Sequence, residues 1–139
     1  MENIQREKLV VLMEVEKRWF NLIRCGLKDV EGRKALKWQH IRNNDEIILS
    51  CTGCSEEATV HLLVKDVRKY VNADDEFDDP LDEFLISEGL RHVLPGVKSL
   101  KKAREVYLTY FKIEDIIQQG MVAIEVKVIT NEVTSYNQI

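Results

Sequence analysis

The chain has 139 residues, 45% hydrophobic, 7% aromatic and 32% charged, a size and balance that fit one packed domain and exclude global disorder. No apolar run approaches the length that spans a bilayer. The opening "MENIQREKLV" is too charged for a secretory leader, so the expectation is an intracellular protein, cytoplasmic or nuclear, with no membrane partner.

Three cysteines, Cys25, Cys51 and Cys54, form no disulfide framework, and an odd, small count suits a reducing compartment. The net charge of −4 is unevenly distributed: residues 1–44 carry +4 and the remainder −8. Residues 71–89 hold eight acids and no base. A cationic face in the N-terminal third therefore remains available to steer an anion, because steering follows the local field as well as net charge.

In chain order, the Val-rich "KLVVLMEVE" (8–16) reads as a buried strand. Val15, Trp19, Leu22 and Ile23 then follow one helical face, and Gly26 is a helix stop. "DVEGR" (29–33) is expected as a strand, and "KALKWQH" (34–40) as a short helical turn. An Asn-Asn-Asp turn at 43–45 leads into a strand over 46–51, "TGCSE" turns, and "ATVHLLVKDVRKY" (58–70) is a long strand. The acidic residues 71–79 are expected as a solvated loop, with Pro80 opening a helix over 81–88. After the break "LPGV", Ser99 caps a helix bearing Leu100, Ala103, Val106, Tyr107 and Tyr110. A shorter helical piece stops at Gly120, and "MVAIEVKVI" (121–129) is the last strand. The tail 130–139 is polar and expected to fray. The order β, α, β, β, β, α, α, β indicates α+β, with the sheet curling toward a barrel rather than a doubly wound sheet.

The stretch most open to chemistry is "GLKDVEGRKALKW" (26–38), which gathers Lys28, Glu31 and Arg33 within six positions. On a strand, Glu31 and Arg33 share a face, while Lys28 belongs to the turn after Gly26 and is free to swing over either side. A carboxylate beside two cations stays ionised. Glu31 can accept from a base's amino group and Arg33 can contact a phosphate or carbonyl. Trp38 offers a stacking surface, worth about 1–3 kcal/mol per base. The competing reading is a structural Glu31–Arg33 ion pair, with Trp19 and Phe20 in the core.

"WFNLIRCGLKDVEGR" resembles the signature of the ASCH domain, a relative of the PUA domain: an aromatic-bearing helix followed by Gly-x-Lys-x-x-Glu-x-Arg, here Gly26, Lys28, Glu31 and Arg33. "NNDEIILSC", "LISEGLRHVLPGVKSLKKAREVYLTYF" and "MVAIEVKV" continue the likeness over about residues 9–128, so the chain reads as a single ASCH-like domain over 1–139. The resemblance implies a PUA-like small β-barrel with flanking helices and a ligand cleft beside the motif. It implies RNA or a modified nucleoside or nucleotide as partner, with no cofactor and no metal. Some small members are amidohydrolases acting on N4-acetylated cytidine, and ribonuclease activity is attributed to others. In the amidohydrolases the site combines the motif's Lys, a Thr three residues later and a distant Glu. Lys28 matches the first and Glu88 of "SEGL" best matches the last. Glu31 stands where the Thr would be, a departure from that pattern. The implied ligand set is thus Lys28, Glu31, Arg33 and Trp38, and the implied catalytic set Lys28, Glu31 and Glu88.

Three other features have bland readings beside sharper ones. "CTGC" has metal-ligand spacing, but no second pair completes a zinc site, and a Thr-Gly hairpin turn explains it. The acidic loop 71–83 is a solvated segment or the seat of a protein partner. Lys98, Lys101, Lys102 and Arg104 form a basic helix face, solvated by default and a backbone track if it adjoins Arg33 and Lys34.

Overall fold

The structure is a computed structural model that describes residues 6–133 except Glu56, with the side chains of 130–133 outside the description. Strands β1 (Val10–Glu16), β2 (Val30–Lys34), β3 (Glu46–Thr52), β4 (Ala58–Tyr70) and β5 (Met121–Val133) form one sheet in the order β1-β3-β4-β5-β2. The β1–β3 pair is parallel and the other pairs are antiparallel. Helices α1 (Lys17–Arg24), α2 (Ala35–Trp38), α3 (Pro80–Glu88), α4 (Leu90–Val93), α5 (Leu100–Tyr110) and α6 (Ile113–Gln119) flank it. The sheet curls into a half-barrel, the α+β architecture with a curling sheet expected from the element order, and it is consistent with the PUA-like fold that the resemblance implies.

The curl follows from the two long strands. Between β4 and β5 the register slips at His61/Leu62 and again at Val64/Asp66, and such bulges bend a strand and raise its twist. Val60, Leu62 and Val64 alternate inward from β4, while Met121–Ile124 of β5 are buried at every position, since β5 lies between two strands with α3 packed on it. Curling brings the edge strands β1 and β2 toward each other without pairing them, and the candidate site lies between them.

Sequence signals for the caps are realised. Asp79 accepts from the backbone N–H of Asp82 at 2.9 Å, with Pro80 in the first turn of α3, and Ser99 accepts from Lys102 N–H at 3.2 Å to open α5. Three expectations are corrected. α4 was not anticipated, because four residues display no period. The last strand continues through 130–133 into pairing with Ala58–His61, so the fraying tail can only concern residues 134–139, which lie outside the described residues. The acidic segment is exposed over Asp74–Glu76 but not throughout: Asp79 and Asp82 are buried and gripped by Arg104 at 3.0 and 2.7 Å. Among the described residues no helix is long and apolar enough to cross a membrane.

One ion pair ties the start of the chain to the fold. The Asp45 carboxylate accepts from Arg6 at 2.9 and 3.0 Å, from Leu9 N–H at 3.0 Å and from Arg42 N–H at 2.9 Å. Burial opposes its charge, but these donors outweigh burial and pull the carboxyl from 3.8 down to about 2. A depressed carboxyl stabilises the fold above its ordinary value and loses that contribution as pH falls through the folded value. Asp45→Asn is therefore expected to lower stability by about 2 kcal/mol at neutral pH. In urea unfolding the gap from the parent should close between about pH 4 and pH 2. An unchanged gap across that window would contradict the assignment.

Candidate functional site

Three short pieces of backbone build the site. α1 ends where Gly26 turns at a φ of +84°, a conformation that suits glycine. The Lys28 N–H then bonds back to Leu22 O at 3.0 Å, which fixes residue 28 beneath the end of α1. β2 follows immediately and pairs with β5 in a register that sets Glu31 opposite Ile124 and Arg33 opposite Val122.

The expectation that Lys28 swings freely is corrected: its side chain is 1% exposed and fixed. The ammonium donates to Val30 O at 2.6 Å and to Val93 O of α4, and lies 3.2 Å from Glu31 Oε1. An ammonium has three N–H groups, and three acceptors surround this one. Glu31 Oε2 takes Arg33 Nε at 2.9 Å, and Arg33 Nη2 reaches across to Glu14 O of β1 at 2.8 Å. Arg33 thus bridges the gap between the edge strands. Burial works to raise the Glu31 pKa, but Lys28 and Arg33 together hold it below the ordinary carboxylate range. Burial lowers the Lys28 pKa, against the pull of Glu31.

This trio forms part of the wall of a cavity of about 590 Å³. Five aromatic rings line the rest of it: Trp19, Trp38, Tyr107, Tyr110 and Phe111. Trp38 is buried, with Arg33 and Lys37 each 5.5 Å from its ring centre, so cations already occupy the surface expected to stack a base. Trp19, expected as core, is buried and also a cavity wall, with Arg18 4.3 Å from its ring centre and its indole N–H directed at Tyr110 Oη at 3.4 Å. Tyr110 donates onward to Glu16 and is half exposed. Burial, then the charge of Glu31, push the Tyr107 phenol well above its ordinary pKa, so it stays neutral. Tyr107 and Tyr110 share the helical face noted in the sequence, but nothing in that period separates a cavity wall from a core.

Glu88 lies elsewhere. It accepts two bonds from Arg68, at 2.7 and 2.8 Å, and one from Tyr70, and it does not line the cavity with Lys28 and Glu31. Arg68 also binds Asp66 and Glu125, so Glu88 is one of three carboxylates around one guanidinium. Of the basic helix, Arg104 turns inward to Asp79 and Asp82 and leaves the exposed face. Cys51 and Cys54 are joined as a disulfide across the Thr52-Gly53 turn, a local bridge that the sequence reading of the pair as flanking a hairpin turn did not include, while Cys25 is free and exposed. Among the described residues no group of three or more His, Cys, Asp or Glu is placed to hold a metal ion.

Chemically, a carboxylate held ionised by two cations is a weak general base, and an ammonium with every N–H engaged is a weak nucleophile. Fixed charges in an aromatic-walled hollow between the edges of a curled sheet suit recognition of a flat, polar ligand.

A half-barrel with its cleft between unpaired edge strands defines the class of fold, and comparison with known proteins places the chain within it. The ASCH domain family model matches residues 13–130, and the chain belongs to that family. The crystal structure of the hypothetical protein PH0355 is 31% identical, with a TM-score of 0.72 over 87% of this chain and 100% of that one. Protein PF0455 from Pyrococcus furiosus, solved by NMR in solution, is 29% identical, with a TM-score of 0.63 over 87% and 98%. The crystal structure of ASCH from Zymomonas mobilis, 13% identical with a TM-score of 0.57 over 89% and 73%, shares the fold. No curated protein matches the chain.

Proposed function

We propose that the protein is an RNA- or nucleotide-binding module that seats one base in the cavity between β1 and β2. The observation that carries this reading is the union of a buried Lys28–Glu31 pair, joined by the partly buried Arg33, with five aromatic rings around one hollow. A volume of about 590 Å³ lies within the usual range for small-ligand sites. Tyr110, half exposed at the mouth of the hollow, supplies a stacking surface. Glu31 retains lone pairs for a base's amino group, and Arg33 supplies a fixed cation that bridges the two edge strands. The Trp38 ring, 5.5 Å from the Arg33 guanidinium, packs beside it in the wall.

The test is a titration with nucleoside monophosphates, followed by heat or fluorescence. Arg33→Ala is expected to weaken binding by about 10- to 100-fold, the loss of a charged hydrogen bond, with the circular dichroism spectrum retained. Affinity unchanged by this substitution would remove Arg33 from the ligand set.

A second reading, hydrolysis of N4-acylated cytidine or cleavage of RNA with Lys28 and either Glu31 or Glu88, rests on burial lowering the Lys28 pKa. The three acceptors around its ammonium and the distance of Glu88 from the cavity weigh against it. Turnover of acetylcytidine or RNA by the wild-type protein, lost in Lys28→Met, would put catalysis in place of binding.

A further inference from the structure

The cysteine bridge lies beside the mouth of the cavity. Cys51 closes on Cys54 with a Cα–Cα separation of 5.7 Å. Thr52, between them, lines both the cavity and a shallower groove next to it. The pairing of β3 with β4 ends at Ser50 and Thr59, and past that point β3 continues against β1, with Val15 opposite Cys51 and Glu16 opposite Thr52. Val15 and Glu16 are themselves cavity wall, and Glu16 accepts the Tyr110 hydroxyl. The bridge is thus a covalent tie at the end of β3, next to residues that face the ligand. As a staple it is poor: it spans a sequence separation of 3, and the shorter the closed loop, the less chain entropy a cross-link removes. As a reactive group it is accessible. Thr52 and Gly53 are exposed, and a Cβ on Gly53 would meet nothing within 4 Å, so the tip of the turn stands clear. Lys17 and Arg18 share the groove with Thr52, and neighbouring cations favour a thiolate.

We infer that Cys51 and Cys54 form a redox-active pair, a site of thiol–disulfide exchange with a dithiol reductant, whose state sets how firmly the cavity mouth is held. Cys51 packs against the core, whereas Cys54 lies beyond the strand in the turn, so the incoming sulfur meets Cys54. A thiolate of the reductant attacks Cys54 Sγ, the bond between the two cysteines breaks, and Cys51 leaves as a thiolate. The reductant's second thiolate then attacks its own sulfur in the mixed disulfide and expels Cys54. Two electrons pass to the pair, the protons of the reductant's thiols end on the two cysteines, and the reductant becomes a disulfide. In the bridged form the turn is fixed and Thr52 is held at the mouth. In the dithiol form the turn is released, and ordering it again around a ligand costs affinity. The effect on affinity rests on the base-binding reading of the cavity; the exchange and its effect on the mouth do not.

The experiment uses the full chain with Cys25→Ser, which leaves the pair as its remaining cysteines, equilibrated in dithiothreitol buffers of graded reduced-to-oxidised ratio. Maleimide capture read by mass counts the thiols. The indole N–H signal of Trp19, which lines both hollows with Thr52, reports the mouth. Titration with cytidine monophosphate gives the affinity. Both thiols are expected to appear together in one reversible transition, with the circular dichroism spectrum retained and the Trp19 signal following the thiol count. Nucleotide binding is expected to be about 3- to 10-fold weaker in the dithiol form. Adding Cys51→Ser, Cys54→Ser is expected to reproduce the dithiol form and to remove all response to the buffer. A pair that never bridges in oxidised buffer, or a bridge that resists dithiothreitol until the protein unfolds, would overturn the inference. So would reduction that leaves the Trp19 signal unmoved, reduction that leaves the affinity of a nucleotide-binding protein unchanged, or a response that survives in the serine variant. If cytidine monophosphate binds in neither state, the base-binding reading fails, and the thiol count and the Trp19 signal decide the exchange site by themselves.

Discussion

Glu31→Ala is expected to cost about 3–5 kcal/mol of stability, the loss that follows when one partner of a buried ion pair is removed. The side chain of Lys28 is 1% exposed, and without Glu31 its ammonium keeps two carbonyl acceptors but no countercharge. Arg33 simultaneously loses the carboxylate that aims its guanidinium at Glu14 O. Denaturant unfolding at neutral pH measures the cost. A second variant separates stability from recognition. In Lys28→Met, Glu31→Leu the charges leave together, and such swaps for apolar residues are often neutral or stabilising. That double variant should recover most of the stability and none of the nucleotide binding. A Glu31→Ala loss below about 1 kcal/mol, as for exposed pairs, would show that the trio is solvated.

The second large effect concerns Gly32, whose neighbours leave no room for a side chain. A Cβ there would lie 2.7 Å from both Phe84 Cε2 and Tyr107 Oη. One is a ring carbon and the other a phenol oxygen, on buried residues whose rings pack edge-on at 5.6 Å, so neither gives way cheaply. Gly32→Ala is expected to destabilise by about 1–3 kcal/mol through overpacking, lowering the melting temperature by roughly 5–10 °C. Phe84→Leu added to Gly32→Ala should return part of the loss by making room, although Phe84→Leu alone destabilises. This sign reversal identifies the clash. If Gly32→Ala melts with the parent, the close packing of β2 against α3 and α5 is wrong. Gly32 lies between Glu31 and Arg33 of the motif, so it serves the site by letting two aromatic rings close under it.

The sequence made the framework legible because its signals are local. Gly26, Pro80 and Ser99 act within a few residues of themselves and mark helix ends, and the Trp19–Ile23 spacing marks the buried face of α1. The site was legible only as a list of charges. What fixes Lys28 is a carbonyl 65 residues away, on a helix of four residues that has no periodic signature. Arg104 sits in a run with lysines, yet its partners Asp79 and Asp82 precede it by 25 and 22 residues, so the run resembles a solvated face until the chain is folded. Trp19 and Tyr107 show the same limit differently. A helical stripe reports burial, and the wall of a cavity is as buried as a core. Carrying Glu88 over by likeness placed it beside Lys28, whereas Arg68 and Tyr70, on one face of β4, draw it into a separate cluster.

Both tryptophans of the chain, Trp19 and Trp38, line the cavity, so their two indole N–H resonances report on it without any label. The decisive measurement is a proton–nitrogen NMR titration of the wild-type protein with uridine or cytidine monophosphate. Both indole signals should move saturably, together with the backbone amides of residues 28–38, while those of Arg68 and Glu88 remain still. If the ligand binds with the indole signals unmoved and the shifts gather around Glu88, or if millimolar nucleotide moves nothing, base binding between β1 and β2 is contradicted.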